Sequence, residues 1–364
     1  MVDKKKDADQ MKEAEKASKK PVVAIEKESG EAAEKTEGPV GLDIGTTHIV
    51  LAQNEKNYIN CVKQLNAFFT VPRSKFAQSI LAKNEVLYYE QDELFYIFGY
   101  SADNFANMFT ANTRRSIKDG ILSAKEKEGL TVIRAIIQSL IQKPKQFGET
   151  ICFAVPGEPL HGTGSVVYHE AMIKQFLGGI GYSPMCINEG MAIVISELSD
   201  SDYTGVGISI GGGMCNICLS YLSYPVITYS LQMAGDYIDS MSGMSVGEPA
   251  TKIKSIKENE LDLSKTPKDR IVTALHIFYD DIINKLIESL LRVLSSTDQM
   301  PMISSPVPIV LSGGSAMPNG FKEKFDKALK NYSLPIEISS VRLAKDPLNT
   351  TSKGALIMAM TEEK

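Results

Sequence analysis

The sequence predicts an α/β fold built on two related halves, and three observations carry that prediction. Residues 41–51 read Gly-Leu-Asp-Ile-Gly-Thr-Thr-His-Ile-Val-Leu, with Leu42, Ile44, Ile49 and Leu51 at apolar strand positions around a small-residue turn, the pattern of a β-hairpin. Residues 207–219 echo it: aligned on Gly41 and Gly207, both segments run small, apolar, polar, apolar, Gly, two small residues and a second alternating strand. Elsewhere, strand-like apolar runs alternate with helical periodicities that stop at Gly or Pro. The echo implies two halves facing each other; the alternative is two unrelated Gly-rich hairpins.

The hairpins carry the chemistry. Asp43 sits on an otherwise apolar strand, where burial is costly unless the carboxylate is paired, hydrogen-bonded or facing a cation. The Gly45-Thr46-Thr47 turn two residues later can present successive backbone N–H groups to an anion such as phosphate. No P-loop pattern follows, and no Gly-x-Gly-x-x-Gly opens a helix here. In the echo, Gly211, Gly212 and Gly213 form the turn, so a phosphate chain clamped between two such turns is the physical reading.

In order, residues 1–38 are mostly Lys, Glu, Asp, Ala and Ser and predict a disordered tail, solubilising or serving as an arm for a partner. Residues 58–69 and 86–100 are strand-rich, and a short helix is expected over 101–108. Residues 114–120 read as a loop, followed by a helix over about 125–142 with Leu130, Ile133, Ile136, Ile137 and Leu140 on one face. A strand is expected over 151–155, a helix over about 165–177, a strand over 182–188 and an apolar helix opening at Glu189. His161 and His169 are isolated and read as surface or capping residues. After the echo come a strand over 224–232, helices from Gly235, from Ala250 and over about 267–294, a strand over 308–312 ending in Gly313-Gly314, and helices over 319–329 and at the C-terminus.

Composition narrows the function. Hydrophobic residues at 43% and charged residues at 23% fit a globular chain of 364 residues with two real cores. A net charge of −5 without basic–aromatic runs argues against nucleic acid. The absence of a span-length apolar run or a signal-like N-terminus points to the cytoplasm, and five cysteines at apolar positions fit a reducing compartment. Cys215 and Cys218 are offset by an odd number on a strand, so their side chains face opposite ways, which argues against a metal or redox pair.

Taken together, Asp43-x-Gly-Thr-Thr, the Gly211-Gly212-Gly213 hairpin and Leu311-Ser-Gly-Gly-Ser resemble the two phosphate motifs and the adenosine motif of the actin, Hsp70 and sugar-kinase ATPase superfamily, most of all the bacterial actins of the MreB and MamK group. Lys118-Asp119-Gly120, Asn188-Glu189-Gly-Met-Ala and Asp346-Pro347-Leu348 through Gly354 are similar to further motifs of that group, in the same order. The resemblance implies an actin-like, ribonuclease H-like duplicated fold: two α/β halves around a nucleotide cleft. The first half would span 39–187, with a strand-rich accessory subdomain at about 55–105 and completion by a C-terminal helix at about 346–364. The second would span 188–345, with a helical accessory subdomain at about 236–300. Position by position, Gly45, Thr46, Thr47, Gly211, Gly212 and Gly213 would cradle the phosphates of MgATP, Asp43 would hold Mg²⁺ through water, and Glu189 would orient the attacking water. Lys254 would border the nucleotide, and Gly313 and Gly314 would let backbone approach adenosine through contacts that also suit GTP.

The sequence departs from that family at Ser209, where an Asp is usual, and at Met214, Cys215 and Asn216, where Thr-Thr-Asp is usual. Phosphoryl transfer depends on positioning and charge balance, so the loss of the carboxylate that Ser209 replaces predicts weak hydrolysis with binding retained. The expected function is a cytoskeletal subunit that self-associates into filaments with ATP bound. The alternatives are a non-polymerising, Hsp70-like scaffold ATPase and, last, a small-molecule kinase.

Overall fold

The computed structural model describes residues 38–55, 58–122, 126, 128–161, 165–297, 301, 303 and 305–362. The expected tail up to residue 37 and the expected helix start at Lys125 lie outside these residues. In chain order, β1 (Val40–Ile44), β2 (His48–Glu55) and β3 (Tyr58–Leu65) are followed by β4 (Phe68–Pro72), α1 (Lys75–Lys83), β5 (Tyr88–Gln91), β6 (Leu94–Phe98) and α2 (Tyr100–Phe105). Next come β7 (Ile117–Lys118), β8 (Ile121–Leu122), α3 (Gly129–Leu140), β9 (Thr150–Val155), α4 (Val166–Gly179), β10 (Ser183–Asn188) and α5 (Glu189–Glu197). The chain continues through β11 (Gly205–Ile210), β12 (Cys215–Tyr221), β13 (Tyr224–Leu231), α6 (Gly235–Val246), α7 (Ala250–Asn259) and α8 (Arg270–Ser296). It ends with β14 (Val307–Ser312), α9 (Phe321–Leu329), β15 (Ile338–Leu343) and α10 (Thr350–Glu362).

The chain divides into two compact units, the smaller being residues 67–114 among those described. That unit is a three-stranded sheet of order β4-β6-β5 with α1 and α2. Its core is aromatic: Phe68, Phe69, Tyr89, Phe95 and Phe98 are buried, and Tyr89 stacks on Tyr96 at 4.6 Å. Ser74 caps α1, its hydroxyl accepting from the Ala77 N–H at 3.1 Å, a helix that the sequence reading did not identify. Strand β3, expected in an accessory subdomain, instead pairs with β2 in the larger unit.

The larger unit contains two five-stranded sheets, of order β10-β9-β1-β2-β3 and β13-β12-β11-β14-β15. They have the same wiring. In each, a three-strand antiparallel meander (β1-β2-β3 or β11-β12-β13) is extended by two parallel strands beside its first strand. The hairpin echo is thus a repeat of a whole sheet. Parallel strands buried on both faces read as continuous apolar runs, as in β9 and β14.

The sheets exchange helices. α5 follows β10 of the first sheet but packs on β11 and β12 of the second, while α10 follows β15 of the second sheet and packs on β1 and β9 of the first. Both crossings depend on glycine. A Cβ on Gly41 would strike the Ser352 carbonyl and Leu356 backbone of α10, and one on Gly207 would strike the Gly190 carbonyl of α5. The two helices meet where a Cβ on Gly354 would overlap the Ala192 carbonyl. Around that crossing lies an apolar cluster of Cys152, Met191, Ile193, Cys218, Val310 and Ala355. Cys215 belongs instead to the core on the other face of the second sheet, so the two cysteines do face opposite ways.

Some local expectations are corrected. Within the segment expected as loop over 114–120, residues 117–118 form β7, which pairs with β8 just beyond it. His169, expected at the surface, is fully buried, with its Nδ1 accepting from the Leu122 N–H at 3.3 Å and its pKa pushed down to about 4 by burial. α8 begins at Arg270 because Asp269 caps it, accepting from the Val272 N–H at 2.9 Å.

Gly354→Ala is a direct test of the helix crossing. Helix propensity alone predicts a gain of about 1 kcal/mol, whereas overlap with the Ala192 carbonyl predicts a loss of roughly 3 kcal/mol or more. We expect the loss, read as a lower urea midpoint; an unchanged or higher midpoint would contradict backbone-to-backbone packing.

Candidate functional site

The β1/β2 and β11/β12 turns face each other across one cavity of about 500 Å³ in the larger unit. The residues given a nucleotide, metal or water-orienting role from the sequence line it: Asp43, Gly45, Thr46 and Thr47 from the first hairpin, Gly211, Gly212 and Gly213 from the second, and Glu189, Lys254, Gly313 and Gly314. The turns approach closely because they lack bulk. A Cβ on Gly213 would lie 2.5 Å from Thr46 Oγ1, and one on Gly212 would overlap Thr47 Oγ1. Thr46 Oγ1 itself accepts from the Gly120 N–H at 3.1 Å, which ties the β7/β8 turn to the first hairpin. Gly313 has φ +93°, and a Cβ there would collide with the Ile210 backbone, so glycine is required where β14 enters its turn.

The floor of the cavity is acidic. Asp43 is directed there by strand alternation, in register with Val50, and Ser209 takes the matching place opposite Asn216. Glu189 opens α5, which Asn188 caps by accepting from the Gly190 N–H at 2.9 Å and the Met191 N–H at 3.3 Å. Burial holds both carboxyls well above the usual carboxylate range. For Glu189 the charge of Asp43 adds to that rise, and hydrogen bonds from Asn216 and Ser209 oppose it.

Other residues in the cavity wall or beside it were not identified from sequence. Arg115 Nη1 donates to both Asp236 carboxylate oxygens, at 2.9 and 2.7 Å, joining the segment before β7 to the start of α6. Lys257 and Asp239 form a buried ion pair at 2.8 Å, and Lys257 Nζ also donates to the Gly235 carbonyl at 3.1 Å. Removing either partner would strand a buried charge. The spacing Gly235-Asp236-x-x-Asp239 at a helix start is the sequence signal for both pairs. His48 also lines the cavity, and its pKa is pushed down to about 4 by burial and then by Lys63, Lys254 and Arg115, so it is neutral near pH 7.

The donor set suits a nucleotide better than a bare metal. The cavity volume is in the range of small-molecule sites, and Gly-rich turns of this kind match phosphate. Two half-buried carboxyls, Asp43 and Glu189, lie near those turns. No group of three or more His, Cys, Asp or Glu is placed to hold a metal among the described residues, so a cation here would need oxygens from phosphate and water to complete its shell.

The volactin family profile matches residues 39–359. The chain belongs to the volactin family. Three solved structures similar to this volactin-family chain place its fold among the actin-like proteins. A MamK double helical filament is 18% identical with TM-score 0.66, covering 89% of this chain and 99% of the other. MreB5 of Spiroplasma citri bound to ADP is 16% identical with TM-score 0.64, covering 90% and 98%. A non-polymerising MamK mutant bound to AMPPNP is 17% identical with TM-score 0.58, covering 90% and 99%. No curated protein matches in sequence. The fold is therefore the duplicated actin-like fold that the motifs implied, here in a member of the volactin family. No helix among the described residues is long and apolar enough to cross a membrane.

The two raised carboxyls set a pH dependence. The folded protein without nucleotide holds protons at Asp43 and Glu189 that the unfolded chain releases near pH 4. Stability is thus intact below that pH and falls as pH rises from there through neutrality. Asp43→Asn removes one of these groups, so relative to wild type it should gain roughly 1–3 kcal/mol between pH 5 and pH 8. Melting curves across that window would show it. A constant difference between the two proteins would mean that Asp43 is ionised throughout.

Proposed function

We propose that this chain is an actin-like nucleotide-binding subunit that assembles into filaments with MgATP in the cleft and turns it over slowly. The observation that carries this reading is the convergence of two Gly-rich turns and two half-buried carboxyls on one cavity. The fold it shares with MamK and MreB5, solved as a filament and with nucleotide respectively, supports it. GTP is compatible with the same backbone-rich site.

The Gly45–Thr47 and Gly211–Gly213 turns would receive the phosphates from either side, Gly313 and Gly314 the adenosine, and Lys254 would border it. Asp43 would hold Mg²⁺ through water. The ion, when bound, neutralises phosphate charge and polarises the γ-phosphoryl group. In hydrolysis a water oxygen bonds to the γ-phosphorus as the bond to the bridging oxygen breaks, leaving the electron pair on the nucleoside diphosphate. Glu189 orients that water and accepts its proton. A deprotonated Glu189 is the competent form, and a nearby cation and the Asn216 and Ser209 donors favour it. Ser209 contributes a hydroxyl but no negative charge, so metal placement on that side is weaker. The domain boundaries proposed for such a subunit are two halves built on the two sheets, with the charged N-terminal segment as an arm available to a partner.

Phosphate release and pelleting, measured together, test this. Wild type should pellet with ATP or a non-hydrolysable analogue and release phosphate slowly. Ser209→Asp should raise the rate by roughly 10- to 100-fold, and Glu189→Ala should cut it severely, to a residual rate still readable in a single turnover, without preventing assembly. Wild-type turnover as fast as Ser209→Asp, or unchanged turnover in Glu189→Ala, would contradict the assigned roles.

A further inference from the structure

Asn216 stands where the superfamily resemblance leads one to expect a carboxylate, and its surroundings show what an amide does there. It is 1% exposed, and on the neighbouring strand it lies directly opposite Ser209. Its Oδ1 accepts from the Gly157 N–H at 2.9 Å, and its Nδ2 donates to Glu189 Oε2 at 2.8 Å. The Gly157 N–H fixes the amide orientation: flipped, the side chain would set Nδ2 against that N–H. Gly157 is itself fixed. Its carbonyl accepts from Ser230 Oγ at 2.7 Å, the Glu158 carbonyl accepts from the Ser230 N–H at 2.9 Å, and a Cβ at 157 would lie 2.6 Å from the Tyr229 carbonyl carbon. One end of the Asn216 side chain is therefore anchored to immobile backbone, and the other presents a donor in a fixed place.

The connection also crosses the duplication. Asn216 belongs to β12 of the second sheet, whereas Gly157 follows β9 and Glu189 follows β10 of the first. A rotation of one sheet against the other would move the Nδ2 donor relative to the Glu189 carboxylate.

We propose that Asn216 is a positioning residue for nucleotide hydrolysis, using the Gly157 N–H as an anchor to hold the Glu189 carboxylate in one orientation beside Asp43. This rests on the nucleotide-binding reading of the cleft. Asn216→Asp isolates the contact that matters: the isosteric carboxylate keeps an acceptor for the Gly157 N–H but sets an oxygen against Glu189 Oε2.

The test combines ATP affinity, single-turnover hydrolysis with protein in excess, and hydrogen exchange of the Gly157 amide in the full chain without nucleotide. For Asn216→Asp we expect Gly157 protection retained, ATP affinity within about twofold of wild type, and a hydrolysis rate constant lower by about 10-fold or more. On a Glu189→Gln background, Asn216→Asp should cost nothing further, because the residues act as a unit. Hydrolysis at or above the wild-type rate with Gly157 still protected would overturn the positioning role while leaving nucleotide binding intact. If Asn216→Asp also exposes Gly157, Asn216→Ala and Glu189→Ala decide the matter: combined losses no larger than the single ones support the role, and additive losses overturn it. Wild type that binds no ATP would overturn both the positioning role and the reading of the cleft.

Discussion

The architecture depends on backbone meeting backbone where two helices are exchanged between two sheets. α10 lies on β1 at Gly41, α5 lies on β11 at Gly207, and the helices touch at Gly354 and Ala192. Side chains at these points would force the layers apart by the thickness of a methyl group or more, and close-packed interiors do not absorb that. Because α5 carries Glu189 at its first turn, the crossing also sets where that carboxylate stands relative to Asp43 on β1 and Ser209 on β11. The same small-residue contacts therefore organise the core and the floor of the cleft.

Electrostatics gives that floor its character. Two half-buried carboxyls, Asp43 and Glu189, line it together, and the groups beside them that would otherwise add negative charge are the neutral Ser209 and Asn216, both of which hydrogen-bond Glu189. Positive charge is nearby but engaged: Lys257 is paired with Asp239, and Arg115 with Asp236. Lys254 lines the same cavity, and a carboxyl pair raised by burial is the kind of group that an added cation would favour in its ionised form.

How much of this was legible in the sequence differs from residue to residue. Asp43, Gly45 and the Gly211–Gly213 turn could be read because a polar residue and consecutive small residues interrupt strong strand alternation, and the repeat of that interruption exposed the duplication. The helix exchange could not be read, since Gly41 and Gly354 look locally like an ordinary strand glycine and a helix glycine, and only the tertiary crossing gives them a common reason. Strand β15 is an edge strand with only Val341 buried, and it left little pattern to detect. His169 was misread because an isolated histidine carries no local mark of burial. The Arg115–Asp236 and Asn216–Glu189 contacts join residues 121 and 27 positions apart, and only folding brings them together.

The most direct test of the central claim is calorimetric titration of ATP into the full chain, with and without Mg²⁺, for wild type and Asp43→Ala. The account predicts saturable binding of one nucleotide per chain that is strengthened by Mg²⁺ in wild type and loses that Mg²⁺ dependence in Asp43→Ala. Absence of binding, or the same Mg²⁺-dependent affinity in both proteins, would contradict it.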